Sequence, residues 1–290
     1  MDLSAAITIE RPGQSALDIN SIRDPQAVGS SPLSGYSVEQ VDFSTVSVTS
    51  FIEDVPQLDG VDANDPYLGG RTINMVVSVY GSSYADFWDK MNELNYALQA
   101  QPKYATGTPL PFDATRKLSF TQPSAAGTYS LYMNVRPVAM PRFVTDKASA
   151  AGIAAKGYAV TVSVVLFAED PYKYFASDRS FSITGSGTLS VINGGKTIAW
   201  PTVEFSWSGS STVTPFTLTL GSDTVTFAKT GGFLTTTFSA DFKNCTTTPT
   251  ASINNATAFE FFPFPPGTNS LTVTTGTGVT TTVTIREALL

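Results

Sequence analysis

The chain contains no histidine, and that absence narrows its chemistry more than any residue it carries. Histidine is the commonest general base near neutral pH and the commonest side-chain ligand for transition metals. Without it, Ser-His-Asp and Cys-His activation of a nucleophile are excluded. Cysteine is almost as scarce: Cys245 stands alone in 290 residues, so no disulfide can form within the chain. One thiol without an imidazole cannot assemble a structural zinc site from a single chain. Carboxylate, lysine and tyrosine chemistry are all that remain.

Charge is sparse as well. Only 14% of residues are charged, and 24 acidic against 17 basic side chains give a formal charge of −7. No run of lysine or arginine occurs. A protein that grips nucleic acid by neutralising phosphates needs the opposite balance, so any contact with DNA is expected to be passive. No apolar run approaches the roughly 20 residues of a transmembrane helix, and no basic-then-apolar signal peptide opens the chain. Asn244-Cys-Thr and Asn255-Ala-Thr match the glycosylation pattern but carry no weight without a secretory signal. The expectation is a chain that folds in a cytoplasm and meets no membrane. With 42% hydrophobic residues it is globular, and its length suits two domains.

What is present is mostly strand. Ile73, Met75, Val77 and Val79 alternate with polar neighbours over 72–80, the period of a half-buried strand. At Gly81-Ser82-Ser83 the period changes. Tyr84, Phe87, Trp88, Met91, Leu94 and Leu98 then recur at helical spacing, which predicts one amphipathic helix over about 83–101. Ser83 can cap it with Asp86 as its capping-box partner, and Pro102 marks its end. On this stripe Trp88 is expected to be buried against the sheet. Strands are also expected at 6–9, at 41–52, briefly at 117–120, at 129–136 and at 158–166. Turn residues dominate much of 1–40, which reads as one strand and then an extended surface segment. The small-residue segment from Lys147 to Gly152 reads as a loop.

Past Asp170-Pro171 the composition changes. From Phe181 to the end, 28 of 110 residues are threonine and only nine are charged. Branched Cβ atoms favour extended backbone, so threonine suits the exposed face of a sheet. Short strands are expected at 203–207, 216–220, 224–227, 234–238, 259–262, 271–275 and 280–285, separated by turns such as Asn193-Gly194-Gly195 and Gly221-Ser222-Asp223. Evenly spaced strands without a helical pattern predict an all-β sandwich, with a boundary near Ala176.

Candidate chemistry is thin. Glu53, Asp54, Asp59, Asp62 and Asp65 gather carboxylates that could hold calcium, but the spacing is not that of an EF-hand, and a solvated acidic hairpin loop is the better reading. Gly185-Ser-Gly187 and Gly276-Thr-Gly278 open no helix, so they are turns and not phosphate loops. Glu204 and Glu260 could serve as a glycosidase pair, yet each takes an outward strand position where a surface charge is the plainer reading. Phe259, Phe261, Phe262 and Phe264 read as a core strand running into a proline turn more readily than as a sugar platform. No catalytic, cofactor-binding or metal-binding residue is assigned.

Four segments taken in order point to a family: Gly70-Arg71-Thr72-Ile73 before the helix, Ala168–Tyr174 (AEDPYKY), Asn193–Pro201 (NGGKTIAWP) leading into Thr202–Phe205, and Pro265–Val273 (PPGTNSLTV) before the closing IREALL. Together they resemble the distal tail proteins, the Dit-like baseplate hubs of long-tailed bacteriophages, over roughly Leu58 to Leu290. The resemblance implies a mainly β protein: residues 1–175 as an N-terminal ring-forming β domain with its helix, and 176–290 as a galectin-like C-terminal β-sandwich. It further implies a structural, non-enzymatic role in the virion, at the distal end of the tail. There a hexameric ring would join the tail tube protein to tip or tail-associated proteins and receptor-binding proteins, around a channel that DNA passes without specific binding. Assembly would take place in the host bacterial cytoplasm. Pro12–Gly35 and Pro102–Gly127 read as arms that order across a neighbouring subunit. The competing reading is a carbohydrate-binding tail accessory module touching the host surface through Trp200 or Trp207; a glycan hydrolase is disfavoured by the carboxylate argument.

Overall fold

The computed structural model of the chain describes residues 1–11, 14–25, 32–46, 67–98, 115–125, 127–143, 157–208, 215–228, 236–248 and 261–290, with strand pieces at 48–49, 52–54, 61–63, 104–105 and 108–109. Two compact units result, Met1–Lys173 and Tyr174–Leu290. The fold is mainly β, and Tyr84–Leu98 is the one α-helix among the described residues.

In the first unit, strands run in the order Gln14–Asp18, Thr8–Arg11, Arg116–Ser124, Gly127–Pro137, Tyr158–Ala168, Arg71–Gly81 and Gly35–Phe43. All neighbours on this path are antiparallel. The Gly127–Pro137 and Tyr158–Ala168 strands meet only where Arg136 and Pro137 face Phe167 and Leu166. The sheet is thus two antiparallel groups joined by that short ladder, which the Val138 amide extends by one bond to the Val165 carbonyl (2.9 Å). Alternation supplies the core: Ile73, Met75, Val77 and Val79 from one group, Leu131, Met133 and Val135 from the other, all buried as their period requires.

The N-terminal segment departs from its sequence reading. Gln14–Asp18 returns as a second strand against Thr8–Arg11, and Leu17, Ile19, Ile22 and Leu33 are buried in their own unit. Asn20 fixes this return: its Nδ2 donates to the carbonyls of Leu3 (2.7 Å) and Ala5 (2.8 Å), and its Oδ1 accepts from the Val38 amide (3.0 Å). Most of the expected first arm is thus ordered within its own chain, because a fully satisfied buried amide and four apolar side chains offset its conformational entropy. The strand expected from Val41 begins instead at Gly35 and ends at Phe43, with a bulge between Val38 and Gln40 that breaks the period. The brief strand at 117–120 extends over Arg116–Ser124. The Lys147–Gly152 loop lies outside the described residues, as do 102–103, 106–107, 110–114 and 126 of the expected second arm. The rest of that arm includes Arg116–Ser124, which pairs within its own sheet on both sides and does not reach for a neighbouring subunit.

The helix starts at Tyr84, because Ser83 is its cap: Ser83 Oγ accepts from the Asp86 amide at 3.1 Å. The Asp86 carboxylate reaches back one residue further than expected, taking the Ser82 amide at 2.7 Å. Met91, Leu94, Ala97 and Leu98 are the buried face. Trp88 is not part of it and is 43% exposed. At about 100° per residue it lies roughly 120° round the helix from Leu94, and the side toward the sheet is already filled. Its ring leans edge-on against Phe87 and Tyr84 instead (centroids 5.6 and 6.1 Å). Trp88→Ala should accordingly cost less than about 2 kcal/mol in urea unfolding, below the 3–5 kcal/mol of a fully buried aromatic. A loss inside that higher range would restore the buried reading.

The second unit is a two-sheet sandwich. One sheet runs Arg179–Thr184, Val279–Ile285, Pro201–Trp207, Thr237–Asp241, Thr246–Thr248; the other runs Gly187–Asn193, Gly267–Thr274, Phe216–Leu220, Asp223–Phe227. Between them Phe205 stacks on Phe216 with centroids 4.4 Å apart, and Phe227, Phe238 and Phe242 fill the rest of the aromatic core. Outside, hydroxyls pair across strands: Ser180 with Thr284, Ser182 with Thr282, Thr184 with Thr280, each near 3.0 Å. The strand expected at 234–238 lies instead at Thr237–Asp241. Of the strand expected at 259–262, Phe261 and Phe262 belong to no strand, while 259 and 260 lie outside the described residues. Four strands lying wholly in this unit have no counterpart in the sequence reading: Arg179–Thr184, Gly187–Asn193, Thr246–Thr248 and the two-residue Ala288–Leu289.

Candidate functional site

Of the motifs that carried the family resemblance, Asn193–Pro201, Pro265–Val273 and the closing IREALL meet at one end of the sandwich. Asn193 Oδ1 accepts from the Gly195 amide (3.0 Å), and its Nδ2 donates to the carbonyls of Thr197 (2.8 Å) and Phe264 (3.0 Å). Asn269 Nδ2 donates to the Pro265 carbonyl at 3.0 Å and the Gly267 carbonyl at 3.1 Å. Glu287 is buried, and its Oε1 takes the Gly194 amide at 2.6 Å and Arg179 Nη1 at 3.0 Å. At Gly195 a Cβ would sit 2.6 Å from the Ala288 carbonyl oxygen, so the backbone approach itself demands glycine. Arg286 grips Asp178 with two parallel bonds, 2.7 and 2.9 Å. These groups are consumed by backbone and by one another. They hold a turn, not a substrate.

A second polar network seats the helix. Tyr36 donates its hydroxyl to the Lys90 carbonyl (2.8 Å) and to Glu93 Oε2 (3.0 Å), while Glu93 also holds Arg11 at 2.5 Å. Burial, then the neighbouring Glu93 charge and hydrogen bond, push the Tyr36 phenol well above its ordinary range. Burial works against ionisation of Glu93, but hydrogen bonds from Lys90, Tyr36 and Arg11 outweigh it and hold the carboxyl below its ordinary value. The perturbed groups therefore pin a helix to two strands, which is a structural use of charge.

Among the described residues, reactive groups do not converge: no three carboxylates or thiols stand close enough to hold a metal ion. The side chains of Glu53, Asp54, Asp59, Asp62 and Asp65 lie outside the described residues, as does Glu260. Glu204 is exposed in mid-strand between Thr282 and Ser239, with no second carboxylate beside it in the register. Trp207 is buried in the core beside Phe216, and Trp200 is 36% exposed, so the two make no aromatic shelf. Phe262 and Phe264 are buried. An exposed aromatic group lies on the first unit, where Tyr84 (61% exposed) joins Trp88 to Tyr158.

Architecture defines a class: a mainly β chain of two units, one carrying the single helix among the described residues and the other a sandwich, with a Dit-like fold. The particular likeness is to the crystal structure of the SPP1 Dit protein, described as a paradigm of the hub adsorption apparatus in phages infecting Gram-positive bacteria. It covers 99% of this chain and 100% of that one at a TM-score of 0.62 and 18% identity. A chain of the phage P2 baseplate in its activated conformation with calcium aligns over 97% of both chains at a TM-score of 0.43 and 8% identity. The likeness thus reaches residues 1–57, which the sequence resemblance left out. No protein-family model and no curated protein matches the chain.

Proposed function

We propose that this protein is the structural hub at the distal end of a phage tail, and not an enzyme. The observation that carries the reading is the full-length likeness in fold to the SPP1 Dit protein. In this reading residues 1–175 form a hexameric ring and 176–290 form a galectin-like module outside it. The ring joins the tail tube protein above to tip, tail-associated and receptor-binding proteins below. Its place is the virion tail, after assembly in the host cytoplasm. The sparse negative charge supports the channel role, since a wall that bound phosphates would hold back DNA in transit.

Native mass spectrometry of the full chain, with negative-stain micrographs of the same sample, is expected to give a closed six-copy ring. A monomer at tens of micromolar would sink the reading. Fragments 1–175 and 176–290 are expected to give a ring and a monomer respectively, because a head-to-tail contact of fixed rotation closes on itself. An oligomeric C-terminal fragment beside a monomeric N-terminal one would reverse that assignment. In a filter assay at physiological salt, duplex DNA should not be retained; tight retention would contradict passive transit.

A further inference from the structure

Arg71 opens the long strand next to the edge strand Gly35–Phe43 in the first unit, its backbone opposite Ala168, and is only 6% exposed. Its Nε is enclosed without a hydrogen-bond partner among the described residues. A buried guanidinium nitrogen in that condition requires an explanation, because burial strips its water and no acceptor among the described residues replaces it. A second cation lies over Phe43, whose strand position faces Ile73, two residues from Arg71. Lys173 is half-buried, with Nζ 5.1 Å from the centroid of the Phe43 ring, and it feels the charge of Arg71. Burial lowers the pKa of both groups, and for Lys173 the Arg71 charge adds to it.

The sheet explains why they meet. Phe43 pairs with Ile73, and the Ser44 amide donates to the Thr72 carbonyl at 2.9 Å, so Phe43 and Arg71 end adjacent strands at one edge. The acidic groups nearest in sequence to Lys173 are already engaged: Glu169 pairs with Arg136, and Asp170 Oδ1 accepts from the Tyr172 amide at 3.1 Å. Asp42, one residue before Phe43, is exposed and points to the opposite face of its strand.

We propose that Arg71 and Lys173, floored by the Phe43 ring, form a receptor for one oxyanion, a carboxylate or a phosphate. The planar guanidinium is suited to hold two oxygens at once, and the ammonium supplies a movable point charge. Two sources have this chemistry: a free anion, or a polypeptide carboxylate, of which the segment joining Phe43 to Arg71 carries five at Glu53, Asp54, Asp59, Asp62 and Asp65. The inference rests on the first unit alone and stands independently of the tail-hub reading.

The test is thermal unfolding of the full chain, with inorganic phosphate titrated against chloride at matched ionic strength and neutral pH. A ligand that binds only the folded state raises the midpoint as its concentration passes Kd. The expected result is a saturating rise of several degrees that Arg71→Gln and Lys173→Gln each lose. Lys173 is half-buried, so its variant carries the test if Arg71→Gln does not fold. A rise seen only after the five carboxylates are changed to amides supports the receptor and assigns the natural ligand to the chain itself. No saturating response in either background, or one undiminished in Lys173→Gln, overturns the proposal.

Discussion

Phe205→Ala is expected to cost the second unit about 3–5 kcal/mol, the range for removing a fully buried aromatic ring. Phe205 sits at the centre of the sandwich, stacked on Phe216 and within 6.1 Å, centroid to centroid, of both Phe227 and Phe238. Those neighbours belong to strands of both sheets, and cross-strand pairing fixes their backbones. The walls cannot close on the hole, so the cavity term adds to the lost transfer energy. The fluorescence of buried Trp207, which packs on Phe216, reports this unit's transition. Its midpoint should fall by more than about 10 °C. A loss below about 1 kcal/mol would mean that the aromatic stack is not what holds the sheets together.

Gly81→Ala is expected to be the costliest conservative change in the first unit, at about 3 kcal/mol. Backbone conformation is not the reason, since Gly81 is absent from the residues of positive φ. A Cβ at this position would overlap the backbone nitrogen and Cα of Phe87 in the first helical turn. Backbone cannot swing aside as a flexible side chain does, so the helix must lift from the sheet and Met91 and Leu94 must move with it. Trp88 is the only tryptophan of this unit, and its emission follows the helix directly. An alanine variant with unchanged urea midpoint and emission would show that the helix seat tolerates displacement.

Gly81 also marks the limit of what could be read from sequence. Its neighbourhood was legible as a change of period, from alternation in 72–80 to helical spacing after Ser83, and the strand and helix are both there. That the glycine is a contact point was not legible, because close approach is a property of two segments in space. Trp88 failed for a related reason. A stripe wider than the available contact must leave some members outside, and sequence alone does not say which edge is left over. Phe216–Leu220 is legible through the alternation of Phe216, Leu218 and Leu220, whereas Gly187–Asn193 is not, although Leu189 and Val191 alternate there. Arg179–Thr184 went unread because its inward residues, Phe181 and Ile183, are only two. As for candidate sites, the enclosure of Arg71 depends on strand ends that no local pattern announces.

The hydroxyl rows on the second unit have a consequence for how its surface meets water. Ser180, Thr284, Thr202, Asp241 and Thr246 cross the five-stranded sheet in one row, and Ser182, Thr282, Glu204, Ser239 and Thr248 in the next. Across both rows only Asp241 and Glu204 can ionise. This face is wetted by hydrogen bonding, not by ionic hydration, so changes in salt or acidity alter it little. Like-charged bodies brought together build a mutual field that resists crowding. Surfaces of this kind build almost none, and many copies can stand shoulder to shoulder at no electrostatic penalty.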